Sequence, residues 1–299
     1  MKPGRAAFSL YALLVVLAIL VILLGLLAPA VARMRGEAAR VQSRNNLRQL
    51  SLACINYAAT YGPLPAGDDD NHFSAAARLL PFLEEDNLYK SIDFKKPVDD
   101  EANAKARKTR LKVFENPLDP VTETPGEFAG CSYLYCAGSR YSLKDNDGVV
   151  YRDSKVKTTE IKDGLDHTLL IGETLRGDAK APGVKRQHVR LGADALKGLA
   201  AESGVKDFAD GKHVAADRCG SWMDGRFLQG TFTATLKVND ERPDVDCGGA
   251  GGLSGLRGLK DTVNACFCDG SVRVLNADVK LELLKAMATR AGGEPVELP

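Results

Sequence analysis

The sequence predicts an α+β protein in which one long N-terminal helix lies against an antiparallel β-sheet domain. Three observations predict it. Residues 6–32 carry no charge, and residues 13–28 read LLVVLAILVILLGLLA. Residues 33–61 hold helix formers, a single glycine and no proline, with apolar residues recurring at three-four spacing. From Ser132 onward the chain turns to short β-branched and aromatic runs divided by Asp-Gly turns.

Composition sets the outer bounds. The 299 residues suffice for one large domain or two small ones, and 44% hydrophobic with 26% charged residues describes a chain that is mostly globular. A net charge of +1 gives no electrostatic case for nucleic acid, so no nucleic-acid partner is expected. The seven cysteines form neither a CxxC pair nor a cysteine/histidine zinc pattern, and there are only four histidines. Their odd number does not settle the redox compartment.

The helix divides in two. At about 1.5 Å per residue, residues 8–32 exceed the roughly 30 Å of a bilayer's hydrocarbon and read as a transmembrane half. A cleaved secretory signal is the alternative, since Ala28-Pro-Ala30 and Ala30-Val-Ala32 offer small-residue sites. The apolar run, however, is longer than an ordinary signal core of about 7–15 residues. Pro29 is expected to kink the helix rather than end it. Residues 33–61 form the amphipathic extension, with Val31, Met34, Ala38 and Val41 in one register and Leu47, Leu50, Cys54, Tyr57 and Tyr61 in a shifted one. Gly62-Pro-Leu-Pro65 stops it. Lys2 and Arg5 precede the apolar run while Arg33, Arg35, Arg40, Arg44 and Arg48 follow it, so a positive-inside count alone would leave the C-terminal part in the cytoplasm.

Residues 62–299 follow as the domain. Ala75–Tyr89 reads as a short helix containing Pro81, and Glu101–Lys112 as a charged helix or helical linker. Residues 132–143 and 149–152 read as strands around a hairpin turn at Asp145-Asn-Asp-Gly148, and residues 168–172 as a short apolar strand. Residues 231–238 alternate at period two. Residues 264–275 form a second hairpin with Asp269-Gly270 as a type I′ candidate, and Lys280–Arg290 a final amphipathic helix. Residues 176–230 are a variable insertion.

Several of these stretches carry a family resemblance. They are Phe8-Ser-Leu-Tyr-Ala-Leu-Leu-Val-Val after a short basic leader, Asn45-Asn-Leu-Arg-Gln49, the segment 79–89 (LLPFLEEDNLY), the segment 161–173 (IKDGLDHTLLIGE) and Cys268-Asp-Gly-Ser-Val-Arg273. In this order the chain resembles type IV pilins and pseudopilins with a prepilin N-terminal cleavage and methylation motif, and in particular the planctomycete-type domain of unknown function 1559. The resemblance implies a pilin-like fold and a leader of residues 1–7, with prepilin peptidase cutting between Ala7 and Phe8. It also implies single-pass anchoring in the inner membrane with the domain outside the cytoplasm, membrane lipid and other pilin-like subunits being the partners. The sequence departs from the pattern at Ala12, where pilins carry a glutamate that meets a neighbour's N-terminal ammonium. It departs again at Ser43 and at Asn116-Pro-Leu-Asp119, where the family has cysteines, and at Leu259, where it has a histidine.

Chemical motifs are sparse. There is no G-x-S-x-G, H-E-x-x-H, phosphate loop or dinucleotide fingerprint, so no catalysis is expected. Asp145, Asp147 and Asp153 are a calcium candidate, although the EF-hand template fails at its first and twelfth positions; no other cofactor is expected. Asp166-His167 with Glu173 is a base-and-orienter candidate, and Trp222 reads as a core anchor. If the domain is extracytoplasmic, disulfides are expected at Cys219–Cys247 and Cys131–Cys136, with Cys54 a buried free thiol. The expected function is a non-catalytic, membrane-anchored pseudopilin-like structural or interaction subunit of a type II secretion or type IV pilus-like system. The alternative is a membrane-tethered extracytoplasmic binding protein that does not polymerise.

Overall fold

A computed structural model describes residues 10–294 apart from Thr124, Glu127 and Ala181; within the long helix, the side chains at 12, 24, 26–30 and 32 also lie outside the described set. The expected processing site at Ala7 and Phe8 lies outside the described residues. Helix α1 runs Leu10–Tyr61 and is continuous through Pro29. Its character changes along its length. From Ser43 onward one stripe is buried (Ser43, Asn46, Leu47, Leu50, Ala53, Cys54, Ala58), whereas Met34 and Val41 are 71% and 54% exposed. The shifted register seen in the sequence therefore has a physical counterpart: only the second stripe meets this chain's own domain.

Among the described residues, no helix is long and apolar enough to cross a membrane.

The domain is α+β with two sheets. The first has five strands in the order β5-β1-β2-β8-β9: β1 Tyr133–Gly138, β2 Leu169–Glu173, β5 Thr231–Thr233, β8 Thr262–Phe267 and β9 Val272–Asn276. Its side chains divide between two cores, alternating at period two except at the register shift between Leu169 and Ile171 of β2. Tyr133, Tyr135, Ile171 and Cys266 pack with Leu47, Leu50 and Cys54 of α1. Leu134, Cys136, Leu169 and Phe267 pack with Leu284 and Met287 of α6, Leu281–Ala288. The result is three layers, long helix, sheet and short helix. The second sheet is β4-β3-β6-β7, from β3 His188–Leu191, β4 Val214–Ala215, β6 Asp244–Cys247 and β7 Gly252–Leu253, with a small core of its own around Val189, Val245 and Leu253.

Several expectations are corrected. The sheets are mixed, because β1 pairs parallel with β5 and β3 parallel with β6. The hairpin at Asp145–Gly148 does not form. Asp147 there accepts from the Ser139 backbone (2.7 Å) and hydroxyl (2.8 Å), while Asn146 donates to the Arg140 carbonyl (3.1 Å). These bonds hold a wide loop, and β5 takes the free edge of β1 instead. The expected helix at 75–89 breaks at Pro81 into α2 Ala75–Leu79, a 3-10 turn Leu80–Leu83 and α3 Asp86–Lys90. Residues 101–112 yield a 3-10 turn and only five α-helical residues, α4 Ala104–Lys108. The hairpin of β8 and β9 is present, but its turn has only Gly270 at positive φ (+85°), bonded from its amide to the Phe267 carbonyl (3.0 Å). That is a type I turn with a glycine bulge, not type I′.

The calcium and disulfide expectations also fail geometrically. Asp147 is engaged with Ser139, Asp153 turns back onto Asp68 through its backbone, and no group of three or more His, Cys, Asp or Glu among the described residues is placed to hold a metal. All seven cysteines are free thiols and buried. Cys131 and Cys136 lie five residues apart along an extended segment, about 16 Å, far beyond the roughly 7 Å that a disulfide spans. Cys219 and Cys247 belong to different cores. Cys131 instead donates its backbone N–H to the Cys219 carbonyl at 3.0 Å.

Candidate functional site: a carboxylate clasp between helix and sheet

On the face of the five-stranded sheet covered by α1, one row is polar. Tyr133 of β1 stands opposite Glu173 of β2, and Asn264 of β8 lies one step beyond the Gly172–Ala265 pair. Glu173 ends the apolar run Leu169–Glu173, so alternation directs its carboxylate inward under the helix. Ser43 and Asn46 descend on this row from α1, and Asn116 reaches it from the loop after the 3-10 turn Lys112–Phe114.

Glu173 is 8% exposed and accepts three hydrogen bonds. Ser43 Oγ donates to Oε2 (3.0 Å), Asn264 Nδ2 to Oε2 (2.5 Å) and Asn116 Nδ2 to Oε1 (2.5 Å). Ser43 Oγ also lies 3.1 Å from the Tyr133 hydroxyl, and Asn46 Nδ2 donates to the Glu115 carbonyl (2.9 Å). Burial pushes the Glu173 carboxyl above its ordinary range, and the donated hydrogen bonds offset part of that shift. The cluster is a clasp: one carboxylate on the sheet gathers donors from the long helix, a loop and a neighbouring strand.

Beside the clasp opens a pocket of about 250 Å³, lined by Arg40, Arg44, Lys260, Leu259, Glu173 and Asn264 among others. Arg44 Nε donates to Asn264 Oδ1 (3.2 Å), so one amide separates the guanidinium from the Glu173 carboxylate. The terminal nitrogens of Arg44 and the Lys260 ammonium have no partner among the described residues. Arg40 is held only by an exposed bond to Glu37 (2.6 Å).

A second polar constellation sits on the four-stranded sheet, where β3 carries His188 and Arg190 and β6 carries Asp246. Arg190 donates to both oxygens of Asp217 (2.7 and 2.8 Å) and lies 3.5 Å from Asp246. Burial pushes Asp246 up to about 6. His188 is buried 3.7 Å from Asp217, and desolvation pushes it down to about 3, so it is neutral at physiological pH. Asp217 is raised by burial, but the bonds from Arg190 outweigh that and hold it below the usual carboxylate range. The adjoining pocket of about 320 Å³ is lined by Arg190, Asp217 and Asp246 and by the Asp224–Arg226 pair, so together they form an ion-pair network.

The sequence-level candidates fare unevenly. Asp166 and His167 do pair (2.7 Å), the first exposed and the second half-buried, and no hydrogen bond joins either to Glu173. Trp222 is a core anchor as expected, 1% exposed, stacked on Phe114 with centroids 5.4 Å apart and donating to the Thr109 carbonyl (2.9 Å). Ser43 and Asn116 stand out in the sequence only as departures from a cysteine pattern, yet both are donors to one buried carboxylate. A polar residue closing an apolar strand, as Glu173 does, was the one local signal that pointed there.

A family model described as a protein of unknown function (DUF1559) matches residues 32–282. No curated protein and no solved structure matches the chain.

Proposed function

The chain belongs to the DUF1559 family, and we propose that it serves as a non-catalytic, membrane-anchored subunit of the pseudopilin kind. On this reading α1 joins lipid to an extracytoplasmic domain. The observation that carries it is the unequal covering of α1. Eleven aliphatic residues between Leu10 and Leu23 are 41–75% exposed, and the domain covers none of them. At about 1 kcal/mol for each half-exposed side chain, leaving them in water costs on the order of 10 kcal/mol, as much as the whole stability of an ordinary domain. Lipid, or the helices of other pilin-like subunits, removes that cost. The exposed stripe of Met34 and Val41 extends the same argument past the apolar half, toward a second helix.

Carbonate extraction of native membranes, with N-terminal sequencing of the protein recovered, tests the reading. The expected result is a membrane-embedded chain beginning at a methylated Phe8. A full-length chain in the soluble fraction, or a chain starting near Arg33, would overturn it. Ala12 favours the second reading, a tethered binding protein that does not polymerise, because the acceptor for a neighbour's ammonium is missing. Filaments in shear fractions, as against monomers extracted by detergent, separate the two.

A further inference from the structure

The pocket beside the clasp carries opposite charges in a fixed order. Glu173 forms part of its wall, and the cations of Arg44, Lys260 and Arg40 line it as well. Of the side-chain donors to Glu173, one reaches Oε1 and two reach Oε2, so Oε1 is the less occupied oxygen of a carboxylate that lines the pocket. One amide away, the terminal N–H groups of Arg44 and the ammonium of Lys260 have no partner among the described residues. A purely anionic ligand would meet the Glu173 charge, and a purely cationic one would meet three cations.

We propose that this pocket binds a phosphoethanolamine group, with its primary ammonium on Glu173 and its phosphate on Arg44 and Lys260. Three cations exceed what one carboxylate needs and suit the several oxygens of a phosphate. The volume, below the usual range for drug-sized ligands, fits a small head group. Two sources share this chemistry: the free compound and its esters, or the head group of a phosphatidylethanolamine. The lipid source, unlike the recognition chemistry, rests on the membrane reading. Arg40 stands eight residues past Ala32, about 12 Å of helix rise, so a lipid head group reaches it only where the domain leans onto the bilayer.

The test uses the full chain in detergent and titration calorimetry with phosphoethanolamine, glycerophosphoethanolamine and phosphocholine. The ethanolamine compounds are expected to bind at least tenfold more tightly than phosphocholine, whose quaternary nitrogen has no N–H to donate. Lys260→Ala, at an exposed position that leaves the core untouched, is expected to weaken all three by about tenfold. Glu173→Gln is expected to erase the ethanolamine preference. Absence of ethanolamine binding, equal affinity for phosphocholine, or indifference to Lys260→Ala would each overturn the proposal. Nanodiscs of phosphatidylethanolamine compared with phosphatidylcholine then assign the source. Competition with glycerophosphoethanolamine only in the former identifies the lipid, and equal binding in both identifies the free compound. A chain that proves soluble without detergent yet still prefers ethanolamine refutes the membrane reading alone.

Discussion

Replacing Glu173 by alanine removes the acceptor of three buried donors at once, those of Ser43, Asn116 and Asn264. Each buried donor left without a partner costs about 1–3 kcal/mol, so the three together cost about 3–9 kcal/mol at most. Two effects reduce it. The adjoining pocket admits water to part of the cluster, and removing the carboxylate also removes its own burial penalty. A net loss of about 3 kcal/mol is expected, which lowers Tm by about 6–12 °C in a domain of this size. The pH dependence carries a second signature. Because the folded protein holds this carboxyl above its ordinary value of 4.5, the native state binds its proton more tightly than the unfolded chain does. Its contribution is therefore most favourable below pH 4.5 and declines as pH rises through the folded value. Near-UV circular dichroism melts of the detergent-solubilised chain at pH 4 and pH 7 measure both effects. A Tm within 2 °C of wild type at pH 7 would refute the idea that the clasp holds the helix to the sheet. So would an identical pH slope in the Glu173→Gln variant.

Other perturbations follow from the same geometry. Trp222→Ala empties the site stacked on Phe114 and strands the Thr109 carbonyl, so a loss of about 3–5 kcal/mol is expected in urea titration. Asp246, raised from 3.8 to about 6 by burial, makes the native state less stable as pH climbs from about 4 to 6. Asp246→Asn should remove that decline, on the order of 2–3 kcal/mol, when unfolding is compared at the two ends of the range. The buried thiols of Cys131 and Cys219, both pushed up by burial, are expected to resist diamide in the folded chain and to react only on unfolding, and peptide mapping that recovers Cys219–Cys247 from the native protein would contradict the packing. The chain expressed as the sole pilin-like protein is expected to form no long filaments, and Ala12→Glu to increase its incorporation into a filament made by another subunit. Abundant homopolymers with Ala12 unchanged, seen by electron microscopy, would refute the argument from the missing carboxylate.

The sequence by itself determined the elements whose causes are local. The second half of the long helix follows from a proline-free, three-four pattern over residues 33–61, and the closing hairpin and α6 follow from an Asp-Gly turn and a single amphipathic stretch. The family, too, was legible, because its motifs recur in a fixed order along the chain. Tertiary structure decided whatever depends on residues far apart in sequence. Local turn propensity favoured a hairpin at Asp145–Gly148, but Ser139 and Asn146 bond the loop open and β5, some ninety residues downstream, takes the edge of β1. Cysteine spacing suggested pairs that the strand geometry keeps apart. Most of all, the clasp was illegible as a unit: Ser43, Asn116, Glu173 and Asn264 share no motif, and the local pattern groups Glu173 with Asp166 and His167 instead. They become a site only because β2 and β8 are neighbours and α1 crosses them at Ser43, a juxtaposition set by burial of the apolar stripe that begins at Leu47.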